Sequence, residues 1–435
     1  MSRNIMIKKE VITTTGQSTI FSLNSDGEGV GIDSETGNNI TIPFVLPGEK
    51  VNYDCQHFKK KKKYTATSRV STSADRIDPV CKHFTQCGGC MLQHMNATMY
   101  RDFKQAQITN ALVREGLDPF LVDGITILPF GKRRRANLDA IRKGDDIFLG
   151  FHKFRSHSLV NIVECHTMDP ALTQLLEPLR EAFKVVLEPY QKAKVFFTLT
   201  HVGIDMSLEV QGIAELEEPK RAALKAFAEK MDVARFVFRH RKFLDVIHQT
   251  AVPVVQFAGI DVTVDAYSFL QATVESDAHL ADYVLNELIL DASNIVDLFC
   301  GRGTLSLPLS TRAPVTGYEC DKPALAALEK AALNAQNPIQ LHYRDLFTEP
   351  LSRNELKGFD VVVIDPPRAG AEAQSLALAK CDAKQIIYVS CNAETFARDA
   401  RILTEGNFTL KKVHGVDQFA WSPHIEVAAV FERSK

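Results

Sequence analysis

Through the first seventy residues, apolar and polar positions alternate in short runs at 16–23, 40–45 and 50–55, separated by a turn-rich stretch at 25–31 and by Leu46-Pro47-Gly48. Alternation with a period of two puts every second side chain on one face, so these runs predict strands, and their regular spacing predicts a small β-barrel. Residues 75–95 carry little periodicity, and a helical repeat at 100–115 ends at Gly116. Strand patterns then dominate from 128 to 264, at 133–141, 146–152, 195–200, 204–211, 235–239 and 244–248, with a helix at 217–231. Beyond Ser276 the character changes. Apolar runs at 295–299, 315–319, 361–364 and 386–390 alternate with helical repeats, including 277–290, 324–334 and 394–405, before two closing strands at 410–416 and 425–431. Continuously apolar strands between helices are what a parallel sheet covered on both faces requires. The expected fold is therefore α/β. A Rossmann-like domain at 266–435 follows a small OB-like β-barrel at 1–70 and a mostly β central segment at 71–265.

Composition adds limits to this picture. With 45% hydrophobic and 24% charged residues in 435, the chain has the make-up of an ordinary globular protein. No run of apolar residues is long enough for a membrane span, and the opening residues do not resemble a signal peptide, so a cytoplasmic location is expected. A net charge of -2 excludes a uniformly basic nucleic-acid binder but not local basic surfaces. Such clusters occur, interleaved with aromatics: Phe58-Lys59-Lys60-Lys61-Lys62-Lys63-Tyr64, Lys132-Arg133-Arg134-Arg135, Phe151-His152-Lys153-Phe154-Arg155 and Arg239-His240-Arg241-Lys242-Phe243. Each suits phosphate contact with base stacking, and each alone is also compatible with a solvated surface.

Several strand ends carry candidate chemistry. Asp297-Leu298-Phe299-Cys300-Gly301-Arg302-Gly303 closes one strand and opens a helix, where Gly301 and Gly303 permit a tight turn against a ligand. Glu319 ends the next strand, the position from which an acid holds a ribose hydroxyl, and Asp345 is a candidate for an adenine end. The third glycine of a pyrophosphate site is absent, which favours a nucleoside such as S-adenosylmethionine. Cys391, in Ser390-Cys391-Asn392, sits at another strand tip on the same sheet edge, after Asp365-Pro366-Pro367-Arg368 at the tip before it. His424 and Glu426, two residues apart, share one face of the last strand. A thiolate, two carboxylates and a methyl donor fit methylation of uracil C5. Cys391 would add to C6, Glu426 would remove the C5 proton, and Asp365 would orient the base. A base hidden in stacked RNA would have to be splayed into the pocket.

Nine cysteines in a chain with no disulfide pattern point to metal or catalysis. Cys81, Cys87 and Cys90 are close in sequence, with Cys165 further on, and the four could hold zinc or an iron–sulfur cluster. The absence of two C-x2-C pairs favours a [4Fe–4S] cluster, and Gly88-Gly89 suits backbone wrapping around one.

Together these residues resemble the S-adenosylmethionine-dependent RNA 5-methyluridine methyltransferases, in the iron–sulfur branch acting on large-subunit ribosomal RNA. The resemblance covers nearly the whole chain. Residues 1–70 look like the TRAM RNA-binding barrel, Cys81, Cys87, Cys90 and Cys165 match the cluster ligands, and Arg133-Arg134-Arg135 matches an arginine-rich strand. The turn from Asp297 through Gly301 and Gly303, read above as cofactor-binding, matches a family motif, and the resemblance implies that Gln271, in Phe269-Leu270-Gln271, joins Glu319 and Asp365 in contacting cofactor or uracil. It also implies Cys391 as nucleophile and Glu426 as base. The implied fold of 266–435 is a class I methyltransferase domain, and the implied partners are ribosomal RNA and the methyl donor, with a monomer expected. Thr273, Ala393 and Ala420-Trp421-Ser422 depart from the family pattern, and none removes a catalytic group. Formation of 5-methyluridine in transfer RNA, cytosine C5 methylation and a non-catalytic RNA-binding assembly role are the alternative readings.

Overall fold

The computed structural model describes residues 12–58, 61–265 and 267–434. Two compact units emerge. One draws on Met1–Thr85, Gly89–Phe103 and Trp421–Pro423, the other on Gln86–Gly88, Lys104–Ala420 and His424–Lys435.

The first unit is built on five antiparallel strands in the order Asn39–Ile42, Gly29–Ile32, Ile12–Leu23, Lys50–Phe58, Lys61–Ser71. Ile20, Ile40, Ile42, Val51 and Tyr53 fill its core from alternate positions. Two of the five strands differ from expectation. Gly29–Ile32 lies where a turn is expected, because its glycines show no apolar alternation. Lys61–Ser71 begins inside the lysine run and pairs from Phe58↔Lys61 to Lys50↔Ser71. Lysines suit an edge strand, whose unpaired side they keep in water. Lys59 and Lys60 lie outside the described residues. Below the sheet, buried Glu49 accepts from Arg76 Nε at 2.5 Å and Nη2 at 2.8 Å, tying the irregular segment that follows.

The second unit contains two large sheets. Seven strands run in the order Phe243–Gln249, Val233–His240, Gly203–Val210, Lys192–Thr200, Arg135–Lys143, Asp146–His152, Leu159–Asn161. Helix Glu218–Lys230 agrees with the sequence pattern, whereas helix Leu176–Val186 is an addition. Its Pro178 lies in the first turn, where no N–H bond is lost.

The other sheet has eight strands, in the order Ile339–Tyr343, Val315–Glu319, Ile295–Leu298, Val361–Ile364, Gln385–Ser390, Glu426–Arg433, Phe408–Asp417, Val122–Ile127. The first five are mutually parallel, and Glu426–Arg433 is antiparallel to both neighbours. From Ile295–Leu298 the chain first builds outward to one side, then returns to the other with Val361–Ile364. Such a reversal opens a crevice at the carboxyl ends of the strands. The central strands are buried at every position, which explains their unbroken apolar sequence. No helix among the described residues is long and apolar enough to cross a membrane.

Candidate active site

The crevice opens into a cavity of about 620 Å³ within the second unit, lined by residues that include Gln271, Asp297, Gly301, Glu319, Asp365, Cys391 and Glu426. Its first wall is the turn after Ile295–Leu298. Gly301 (φ +55°) and Gly303 (φ +91°) take left-handed conformations, and a Cβ on Gly303 would lie 2.4 Å from Leu328 Cδ1. Gly301 N–H donates to Glu319 Oε2 at 2.9 Å, while Cys320 and Asp321 N–H donate to Oε1 at 2.7 Å each. The carboxylate is thus held rigidly at the cavity edge. Asp297 lies beneath, accepting from Ser306 Oγ at 2.5 Å, with Oδ1 buried and unpartnered. Burial, with smaller contributions from Asp365 and Glu319, pushes its carboxyl up to about 7.

The second wall comes from the following strands. Cys391 follows Gln385–Ser390, just before Asn392 caps helix Ala393–Thr404 through Glu394 N–H. Burial and then the negative potential of Glu426 and Asp365 push its thiol up to about 12, with Arg368 opposing. Asp365 and Glu426 are themselves held above the usual carboxylate range, first by burial and, for Glu426, also by Asp365. Gln271 Nε2 approaches Asp365 Oδ2 at 3.4 Å. At the rim, Arg368 Nη2 lies 3.4 Å from His424 Nδ1. The arrangement places a thiol and two carboxyl groups opposite a cofactor-type turn.

The family described as tRNA (Uracil-5-)-methyltransferase matches residues 129–434. The chain belongs to this family. This methyltransferase is an RNA uracil-5-methyltransferase. A 23S rRNA (uracil(1939)-C(5))-methyltransferase of Pectobacterium carotovorum is 30% identical, with 99% of this chain and 96% of that protein covered. An uncharacterized RNA methyltransferase of Brucella suis is 36% identical, over 97% of this chain and 99% of the relative. The methyltransferase also shares its fold with the Pyrococcus abyssi tRNA (uracil-54, C5)-methyltransferase, solved in complex with S-adenosyl-L-homocysteine. That structure gives a TM-score of 0.73 at 22% identity, covering 95% of this chain and 100% of that one.

The methyltransferase gathers Gln271, Asp297, Gly301, Glu319, Asp365, Cys391 and Glu426 at one cavity, and Gly303 shapes the turn beside it. Asp345 is not on the wall. Its Oδ1 accepts from Phe347 N–H at 2.9 Å, and the Phe347 side chain lines the cavity instead. Arg134 and Arg135, expected at an RNA surface, build the site from within. Arg134 is 2% exposed, forms an ion pair with Asp277 Oδ2 at 2.6 Å and donates through Nε to Gln271 O at 3.1 Å. Arg135 Nη1 donates to Leu270 O at 2.7 Å and its guanidinium covers the Phe269 ring. The Trp421 carbonyl accepts from Met91 and Leu92 N–H.

Sequence reasoning missed Gln418 and Lys104. Gln418 touches both Gln271 and Glu426. Lys104, fully buried, donates to Asp417 Oδ1 at 2.7 Å, to Phe419 O at 3.3 Å and to His424 O. A glutamine and a lysine at otherwise apolar positions were the available signals. Of the four proposed cluster ligands, Cys81 and Cys90 fall in the first unit and Cys87 and Cys165 in the second. Among the described residues, no three His, Cys, Asp or Glu side chains form a group able to hold a metal ion.

Proposed function

We propose that the enzyme transfers a methyl group from S-adenosylmethionine to C5 of one uridine in large-subunit ribosomal RNA, through a covalent bond between Cys391 and C6. The observation that carries this reading is the convergence of Cys391, Glu426 and Asp365 on the cavity that also holds the Gly301–Glu319 contact. The 23S ribosomal RNA relative supports the choice of RNA. The unpartnered Asp297 Oδ1 and the rigid Glu319 carboxylate suit the amino acid and ribose ends of a nucleoside cofactor. Phe347, whose N–H donates to Asp345, would border the adenine.

When bound, S-adenosylmethionine supplies an electrophilic methyl group. C5 of uracil is a weak nucleophile until a thiolate adds to C6 and places negative charge on C5 and O4. Cys391 provides that thiolate. Gln271 and Asp365 would hold the base edge, and C5 would take the methyl group as its bond to the sulfonium sulfur breaks, with S-adenosylhomocysteine as the leaving group. Glu426, as the carboxylate, accepts the C5 proton; the C6–S bond breaks and Cys391 leaves as thiolate. Water-poor walls around Glu426, which is 1% exposed, keep the proton transfer local.

The domain reading assigns 1–70 to a TRAM-like RNA-binding barrel, 71–265 to a cluster-binding segment with a central RNA-binding domain, and 266–435 to catalysis. A [4Fe–4S] cluster on Cys81, Cys87, Cys90 and Cys165 rests on donor chemistry and spacing. Gly88 itself pairs with the neighbouring backbone, its N–H donating to His152 O at 2.9 Å. The reaction itself requires nothing from such a cluster.

The test is Glu426→Gln with an unmodified 23S ribosomal RNA transcript and labelled donor. A methylated protein–RNA adduct should accumulate and survive denaturing electrophoresis. Normal turnover by this variant would overturn the mechanism.

A further inference from the structure

Gln418 lies just beyond strand Phe408–Asp417, is 4% exposed, and engages both ends of its amide. Oε1 accepts from Ala272 N–H at 2.9 Å, while Nε2 donates to Glu426 Oε2 at 2.6 Å and to Gln271 Oε1 at 2.8 Å. A backbone N–H can only donate, so the Ala272 bond decides which end of the Gln418 amide is oxygen. Its NH2 end must then meet the oxygen of Gln271. The Gln271 NH2 is consequently turned toward Asp365, on the cavity that both residues line. A chain of hydrogen bonds anchored on a main-chain group thus fixes the orientation of a side chain that could otherwise flip.

We infer that Gln418 is a positioning residue with two tasks: it presents the N–H face of Gln271 to the substrate base, and it holds Glu426 ready as a carboxylate. The inference rests on the proposed roles of Gln271 at the base and Glu426 as proton acceptor. An N–H face pairs with a carbonyl oxygen of uracil and opposes the amino group of cytosine, whereas a flipped Gln271 would accept that amino group. Donation to Glu426 favours its charged form, against burial and the neighbouring Asp365. Cys391, Arg368 and His424 line the same cavity as Glu426, and the buried Lys104–Asp417 pair holds the preceding turn.

The experiment uses Gln418→Met, which keeps length and packing but removes the hydrogen bonds, alongside Gln418→Glu, which keeps an acceptor for Ala272. The full enzyme is given labelled S-adenosylmethionine and two 23S ribosomal RNA transcripts, one carrying uridine and one cytidine at the position the unaltered enzyme methylates. Melting temperature and S-adenosylhomocysteine binding identify the variant that retains its fold. In that variant the methylated adduct should persist roughly tenfold longer, the consequence of losing one hydrogen bond to a charged group. Because resolution needs the Glu426 carboxylate, its acid limb should move to higher pH. 5-Methylcytidine should also rise relative to 5-methyluridine. A folded variant with unchanged adduct lifetime and pH profile overturns the task at Glu426, and an unchanged base preference overturns the task at Gln271. Normal turnover by Glu426→Gln would instead remove the mechanism beneath the inference, so the two failures are distinct.

Discussion

At the scale of single residues, the proposed chemistry depends on a thiol that its surroundings hold against ionisation. Burial and two neighbouring carboxyl groups push Cys391 up to about 12, so only a small fraction is thiolate near neutrality. Adduct formation should therefore quicken with pH, by about tenfold per unit below that value, when measured by rapid quench with the RNA transcript. A rate independent of pH would contradict a thiol that must lose its proton first. Cys391→Ala should abolish both adduct and methyl transfer, as read by gel shift and label incorporation. Cys300 is a useful contrast: it also lines the cavity, but it is packed against Gly317, and burial raises its thiol well above the usual cysteine range. The difference between two cysteines at strand ends was legible in the neighbours. Asp365 and Glu426 accompany one, and a glycine turn accompanies the other.

At the scale of elements, the site depends on how the 268–272 loop is fastened to the strands around it. Arg134 enters the core beside that loop because Asp277, at the start of helix Val274–Glu287, neutralises it. Arg134→Met should leave Asp277 buried without a partner and cost about 3–5 kcal/mol, measured by denaturant unfolding. The double variant Arg134→Met/Asp277→Leu should recover much of that loss. Equal stability of the single variant and the unaltered enzyme would show the pair to be dispensable. Here lies the boundary of what the sequence could reveal. Parallel strands and their helices announced themselves by local periodicity, and the motifs at their tips picked out side chains that the fold brings to one cavity. Basic character, by contrast, did not distinguish an arginine facing RNA from one buried beneath a loop. Only the pairing of residue 134 with residue 277 makes that distinction, and it is set by packing between distant segments. Strand Val122–Ile127, which joins the catalytic sheet beside Phe408–Asp417, was hidden for the same reason.

At the scale of the whole molecule, a nearly neutral chain combines a methyltransferase sheet with a central β-sheet and a separate small unit of five strands. The four-cysteine proposal belongs to this scale because its members are spread along residues 81–165. Protein purified without oxygen should be brown and carry iron, and Cys165→Ser should lose both colour and thermal stability. Stoichiometric zinc in a colourless protein would contradict the cluster. The most direct test of the central claim is the product itself. With labelled S-adenosylmethionine and an unmodified 23S ribosomal RNA transcript, nucleoside analysis should find the label in 5-methyluridine at a single position. Label in 5-methylcytidine, or in no nucleoside, would contradict it.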